Sequence, residues 1–136
     1  MAIALALSAG WTFLSPPPEE LIDWQSYDGQ AIQNAIEQGR PVLIKFTADW
    51  CLSCHTVEKF VYSRKDIADL IEQKNVLAIK ADTTQKHSPA TIALQQIYNE
   101  PGVPVTMLFV PGQKEPLRWR GILFASELIL SLEQLP

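Results

Sequence analysis

Cys51-Leu52-Ser53-Cys54 is the stretch of this chain best equipped for chemistry. Two cysteines three positions apart can close a disulfide. They follow an apolar run, Val42 to Thr47, that reads as a strand buried on both faces, and they open a run, Cys51 to Tyr62, that reads as a helix with Val57, Phe60 and Val61 on its inner side. A cysteine at a helix N-terminus meets backbone N–H groups and the positive end of the helix dipole, and both favour thiolate over thiol. Cys51 is therefore expected to be the exposed attacking sulfur. Cys54, one turn on, is the more buried resolving sulfur. The same residues admit three other readings. Cys51 to His55 fits the C-x-x-C-H pattern of covalent haem attachment, with Met107 and His87 as the available second ligands and Met107 expected inside a core strand. Zinc needs four ligands, and the soft donors are Cys51, Cys54, His55 and the remote His87. Finally, two cysteines can simply fill a core.

The elements that must hold this pair can be read along the chain. Asp28 caps a helix with Ile32, Ala35 and Ile36 on one face, which Gly39 ends. After the Val42 to Thr47 strand and the cysteine helix, Asp66 to Gln73 is a short helix and Asn75 to Ala81 a strand. Ser88-Pro89 starts a further helix, reaching about Asn99, with Ile92, Ala93 or Leu94, and Ile97 buried. Val105 to Val110 is a strand, turned at Pro111-Gly112-Gln113-Lys114 into a hairpin partner, Leu117 to Arg120. A last helix follows Ser126, with Leu128, Ile129, Leu132 and Leu135 apolar. Strands separated by helices are expected to pair in parallel, and the final two to run antiparallel. The fold class is α/β, a mixed central sheet with helices on both faces.

The chain has 136 residues, 47% hydrophobic, with a net charge of −4 and a pI near 5.1. That is one globular domain, and two cysteines are too few for a disulfide framework. The acidic balance argues against nucleic acid as a partner. Residues 1–20 differ in kind. Met1 to Leu14 carries no charge but is shorter than a bilayer span, and no Lys or Arg precedes Arg40. It reads as the tail of a transmembrane helix, an atypical export signal or an apolar arm. Ser15 to Glu20, with Pro16-Pro17-Pro18, reads as a linker, leaving 21–136 as the domain.

Phe46-Thr47-Ala48-Asp49-Trp50-Cys51-Leu52-Ser53-Cys54-His55 resembles the active site of the thioredoxin superfamily. Gly102-Val103-Pro104 supplies a second mark, since a cis-proline faces the redox pair in that superfamily. The Ala-Asp-Trp-Cys run and Ala81-Asp82-Thr83-Thr84 look most like the C-terminal periplasmic domain of DsbD-type thiol:disulfide interchange proteins. The resemblance covers roughly Leu21 to Leu135 and implies a thioredoxin fold. It makes Cys51 the nucleophile and Cys54 the resolving cysteine, with Trp50 shielding the pair. Val103 and Pro104 become the edge that pairs with an extended partner segment, and Gly121 a glycine on its rim. It implies electrons taken from a membrane-embedded cysteine pair and passed to oxidised thiol proteins, on the periplasmic side of a bacterial inner membrane. No metal, flavin or nucleotide is implied. The alternatives are a stand-alone membrane-tethered thioredoxin serving cytochrome c maturation or metal chaperones, and a peptide-binding module without turnover.

One position departs from the family. Six residues before Cys51, where the superfamily has a buried acid, stands Lys45. The lysine that thioredoxins often place on the neighbouring strand corresponds to Ala78, so the two have not exchanged places. Glu58, four residues after Cys54, matches a second acid of DsbD-like domains. An unpaired buried ammonium costs several kcal/mol, so Lys45 is expected either to reach Glu58, leaving Glu58 as proton acceptor, or to extend its head to water.

Overall fold

The computed structural model describes residues 20–136, so the expectations for Met1 to Leu14 and most of the linker lie outside the described residues. Five strands form one sheet: β1 (Gln25–Ser26), β2 (Val42–Thr47), β3 (Leu77–Asp82), β4 (Val105–Phe109) and β5 (Leu117–Arg120). Their spatial order is β1-β3-β2-β4-β5. β1, two residues long and without apolar periodicity, is not visible in the sequence pattern.

β3 pairs in parallel with both β1 and β2, as strands joined through helices should. β4 departs from that expectation. Although a helix precedes it, β4 runs antiparallel to β2, with Val105 opposite Phe46 and Phe109 opposite Val42. The reason is that β4 does not pair with β3, from which that helix leads. It enters the sheet beside β2 from the end where β2 leaves. This reversal places Pro104, just ahead of β4, at the same end of the sheet as Cys51, just beyond β2. β5 returns antiparallel to β4 and delivers Gly121 to that end too.

Strand alternation divides the core into two layers. Leu43, Ala78 and Leu108 face Val57 and Val61 of α2 (Leu52–Val57 and its continuation Glu58–Tyr62), Ile67 and Ile71 of α3 (Lys65–Gln73), and Leu128 and Leu132 of α5 (Ala125–Glu133). Ile44, Phe46, Ile79, Val105 and Met107 face Ile32 and Ala35 of α1 (Gly29–Glu37) and Ala90 and Leu94 of α4 (Pro89–Ile92 and its continuation Ala93–Ile97).

The helix starts follow the sequence. The Asp28 carboxylate accepts from the N–H groups of Gln30 and Ala31, and Ser88 Oγ accepts from Thr91 N–H, with Pro89 in the first turn. Gly39, with φ at +73°, ends α1. The stripes inside two helices differ from expectation. α2 and α4 each finish in a π-helical turn, in which Ser63 N–H reaches Glu58 O at 3.1 Å and Tyr98 N–H reaches Ala93 O at 3.0 Å. A wider turn advances each residue by a smaller angle. The inner face therefore takes Tyr62 instead of Phe60, and Tyr98 instead of Ile97. Phe60 and Ile97 are exposed, as are Ile92 and Ile36 on the flanks of their helices.

Candidate active site

The end of the sheet where β2, β3 and β5 leave and β4 enters is the point of convergence. From β2 the chain passes through Ala48, Asp49 and Trp50 into Cys51, the N-cap of α2. Cys51 Sγ accepts from the N–H of Cys54 at 3.2 Å. The sulfur thus occupies the place where a capping oxygen would sit, against the positive end of the helix. Cys51 and Cys54 are joined in a disulfide with their Cα atoms 5.3 Å apart. Their order of exposure is as expected, but Cys51 is nearly covered: 7% against 3% for Cys54. Ala48 and Val103 pack around the pair.

Val103 belongs to the second wall. The Val103–Pro104 peptide bond is cis. Pro104 O accepts from Gly121 N–H at 2.9 Å, so the loop before β4 and the end of β5 are tied together beside the cysteines. Pro104, Val103 and Gly121 therefore lie together beside the cysteine pair.

Trp50 is 68% exposed, so its ring is not part of the core. Its Nε1–H donates to Thr84 O at 3.4 Å. Thr84 also holds the cysteine loop through its hydroxyl, which accepts from Asp49 N–H at 3.0 Å and donates to Asp82. The Thr84 hydrogen bonds hold the Asp82 carboxyl below its usual range. Thr83 N–H donates to Thr47 O at 2.7 Å, and His55 Nε2–H donates to Asp49 O at 2.8 Å. The segment after β3 is thus a clasp on the segment after β2. The sequence marks this segment only through its family likeness.

Lys45, on β2 six residues before Cys51, lies on the α2 side of the sheet. Its side chain is 4% exposed and its ammonium meets the Glu58 carboxylate, which is 34% exposed. The head of Lys45 does not extend to water. It rests 3.9 Å from the centre of the Trp24 ring and 5.2 Å from that of Tyr62, a cation held against aromatic faces. The two rings meet edge to face at 5.0 Å, and the Tyr62 hydroxyl bonds Thr106 Oγ1 at 3.0 Å. Burial pushes the Lys45 pKa down, and Glu58 pulls it partly back. Burial likewise pushes the Tyr62 phenol up. Ala78 pairs with Leu43, so the lysine position of thioredoxins holds an apolar side chain here. Trp24, Tyr62 and Thr106 went unread as site residues, because Tyr62 turns inward only through the π-helical turn.

A second buried charge, also absent from the sequence reading, stands behind the proline loop. Glu100 is 1% exposed at its side chain, and its carboxylate accepts from Arg118 Nη1 at 3.0 Å and from Arg120 Nε at 2.8 Å. Arg120, then Arg118, hold its carboxyl below the usual range.

With this geometry in view, likeness to known proteins becomes informative. The family model described as Thioredoxin-like matches residues 23–111. The chain belongs to the thioredoxin-like family. It is 28% identical over 134 residues to the thiol:disulfide interchange protein DsbD of Yersinia enterocolitica, covering 93% of this chain and 23% of that protein. It is 31% identical over 104 residues to DsbD 1 of Pseudomonas aeruginosa, covering 73% of this chain and 17% of that one. The chain thus spans about a quarter or less of the length of these relatives. The reduced C-terminal domain of Neisseria meningitidis DsbD superposes with a TM-score of 0.57 at 25% identity, covering 82% of this chain and all of that domain. The thioredoxin fold expected from the sequence is the fold observed. The domain is DsbD-related and equipped for thiol:disulfide interchange, and these likenesses support thiol:disulfide oxidoreductase activity for its Cys51–Cys54 pair.

Proposed function

We propose that the domain is a protein-disulfide reductase. In this reading it takes electrons from a membrane-embedded cysteine pair and passes them to oxidised periplasmic proteins, tethered to the membrane through residues 1–20. The observation that carries the reading is the Cys51 sulfur at a helix N-cap, packed against the Val103–Pro104 edge. An extended partner segment pairs with the backbone of Val103, as an added strand would. Gly121 leaves that rim without a side chain.

The Cys51 thiolate attacks one sulfur of the partner disulfide. The partner's S–S bond breaks, its second sulfur leaves as a thiolate, and a mixed disulfide forms. Cys54 then gives its proton to Glu58, one helical turn away, and attacks the Cys51 sulfur. The partner's first sulfur leaves. The partner gains two electrons and two protons, one relayed from Cys54 and one from solvent, and the domain is left as the Cys51–Cys54 disulfide. A donor dithiol resets it by the same exchange in reverse.

Reduction of insulin with dithiothreitol as electron source tests the activity. Cys51→Ser is expected to abolish turnover, and Cys54→Ser to accumulate mixed disulfide. Turnover that survives Cys51→Ser would sink the reading. Direction is tested by the equilibrium potential of the pair. A value near −270 mV, about that of thioredoxin, fits a reductant, and one near −120 mV, about that of DsbA, fits an oxidant.

A further inference from the structure

We propose that Glu100 is a positioning residue for partner binding, fixing the Val103–Pro104 edge by gripping β5 through Arg118 and Arg120. The proposal rests on the reading of that edge as the partner-binding edge. Glu100 leaves α4 after Asn99, which has φ at +55°, and its N–H donates back to Leu94 O at 3.0 Å. It stands four residues before Pro104. A mere turn does not require a carboxylate here, and a carboxylate this covered is unfavourable unless charged donors surround it. Both of its oxygens are engaged: Oε1 by Arg118 Nη1 and Arg120 Nε, and Oε2 by Arg120 Nε. Arg120 Nη2 also approaches Oε1 at 2.7 Å.

The grip spans the loop from both sides. Arg118 and Arg120 lie on one face of β5, two residues apart. Arg118 also donates to Tyr98 O at 2.7 Å, so one guanidinium holds the exit of α4 and the Glu100 carboxylate together. Arg120 pairs in register with Val105, directly after Pro104, and Gly121 N–H bonds Pro104 O. Val103 and Pro104 are thereby suspended between two fixed points, Glu100 and Val105. Charge-assisted, forked hydrogen bonds are strong and directional, which suits a joint that must hold a backbone edge in one place. The cysteine pair is held separately, by the Thr84 clasp and the N-cap of α2. Loosening Glu100 should therefore weaken partner capture far more than thiolate chemistry.

Glu100→Gln keeps the volume, removes the charge and turns an amide donor toward the guanidinium groups. The expected result is a KM for insulin raised about tenfold with kcat changed less than twofold. Reaction of the reduced domain with 5,5′-dithiobis(2-nitrobenzoate), a small disulfide that needs no backbone edge, should change less than twofold. Hydrogen exchange at the Gly121 amide, followed by NMR, should speed up about tenfold. Arg120→Lys keeps a cation on an exposed side chain but loses the fork, and should raise KM about threefold. This variant decides the matter if Glu100→Gln does not fold. An unchanged KM, or equal slowing toward insulin and the small disulfide, overturns the proposal. If instead the wild-type domain reduces no insulin, the functional reading fails, and Gly121 exchange still reports on the grip itself.

Discussion

The two walls of the site carry buried charges of opposite sign, built as mirror images. On the side of the cysteine helix, a buried cation, Lys45, is met by an acid that is one-third exposed. Behind the proline loop, a buried acid, Glu100, is met by two arginines exposed by 24% and 65%. They differ in what closes the rest of the shell. Lys45 has one carboxylate and two aromatic faces, which attract a cation but accept no strong hydrogen bond. Glu100 has charged donors on both oxygens. The cation is thus thinly compensated, and its pKa moves against its charge. The acid is well compensated, and its pKa moves with its charge. A thinly compensated buried charge is kept at a cost to folding, and an ammonium near a thiolate favours the thiolate, so variants of Glu58 and Lys45 test whether Lys45 acts on the cysteine pair.

The sharpest way to break this contrast is Glu58→Gln, which strands the Lys45 ammonium. Removing one partner of a fully buried pair costs about 3–5 kcal/mol. Glu58 is partly exposed, so about 2–3 kcal/mol is expected, or roughly 10 °C in melting temperature by calorimetry. Adding Lys45→Met should recover most of the loss, because an apolar side chain suits the Trp24–Tyr62 box. Failure of the double variant to recover would mean that Glu58 stabilises the fold by another route. Lys45→Met alone should change stability by less than about 1 kcal/mol and lower the redox potential by about 30 mV, the equivalent of one pKa unit of lost thiolate stabilisation. A higher potential in that variant would reverse the assigned role.

Titration sharpens the comparison further. Glu100 has a folded pKa below its ordinary value. Its stabilisation is fully present above about pH 4.5, and is lost as pH falls through the folded value. Wild type should lose its advantage over Glu100→Gln in that acid window. Lys45 also has a lowered folded pKa, but it is a base. Its charge opposes folding at neutral pH, and wild type should gain on Lys45→Met as pH rises from the folded value toward about 10.5. Urea melts of each pair across pH give the two difference curves. Differences are needed because Tyr27, Tyr62 and Tyr98 have raised pKa values and pull alkaline stability the other way.

The buried charge of one wall was legible in the sequence; of the other, Val103, Pro104 and Gly121 were legible through the family likeness, and the buried charge behind them was not. The Lys45–Glu58 contact could be anticipated because the family likeness marks both positions by their offsets from the cysteines, and a buried ammonium needs a partner or an exit to water. Glu100, Arg118 and Arg120 meet across 18 and 20 residues, and only the pairing of β5 with β4 brings them together. The direction of β4 was misread for a similar reason: a helix before a strand suggests a parallel crossover, while the partner strand is a tertiary choice. Phe60 and Ile97 fail through geometry, since no residue pattern announced the π-helical turns that rotate them outward. Asp28, Gly39 and Ser88-Pro89 succeed because their roles depend on neighbours within four residues.

The smallest expected effect on the redox potential separates the parts of the lysine box. Tyr62→Phe keeps the ring that faces Lys45 and the edge contact with Trp24, and removes only the hydroxyl that bonds Thr106. Thr106 is buried, so its own hydroxyl is left without that partner. The expected loss is about 1 kcal/mol in a urea melt. The redox potential should not move, because the aromatic faces and the ion pair around Lys45 are all retained. A potential that fell as far as in Lys45→Met would show that the ammonium is held through the Tyr62–Thr106 hydrogen bond. The box would then be a polar network rather than a pair of rings around a cation.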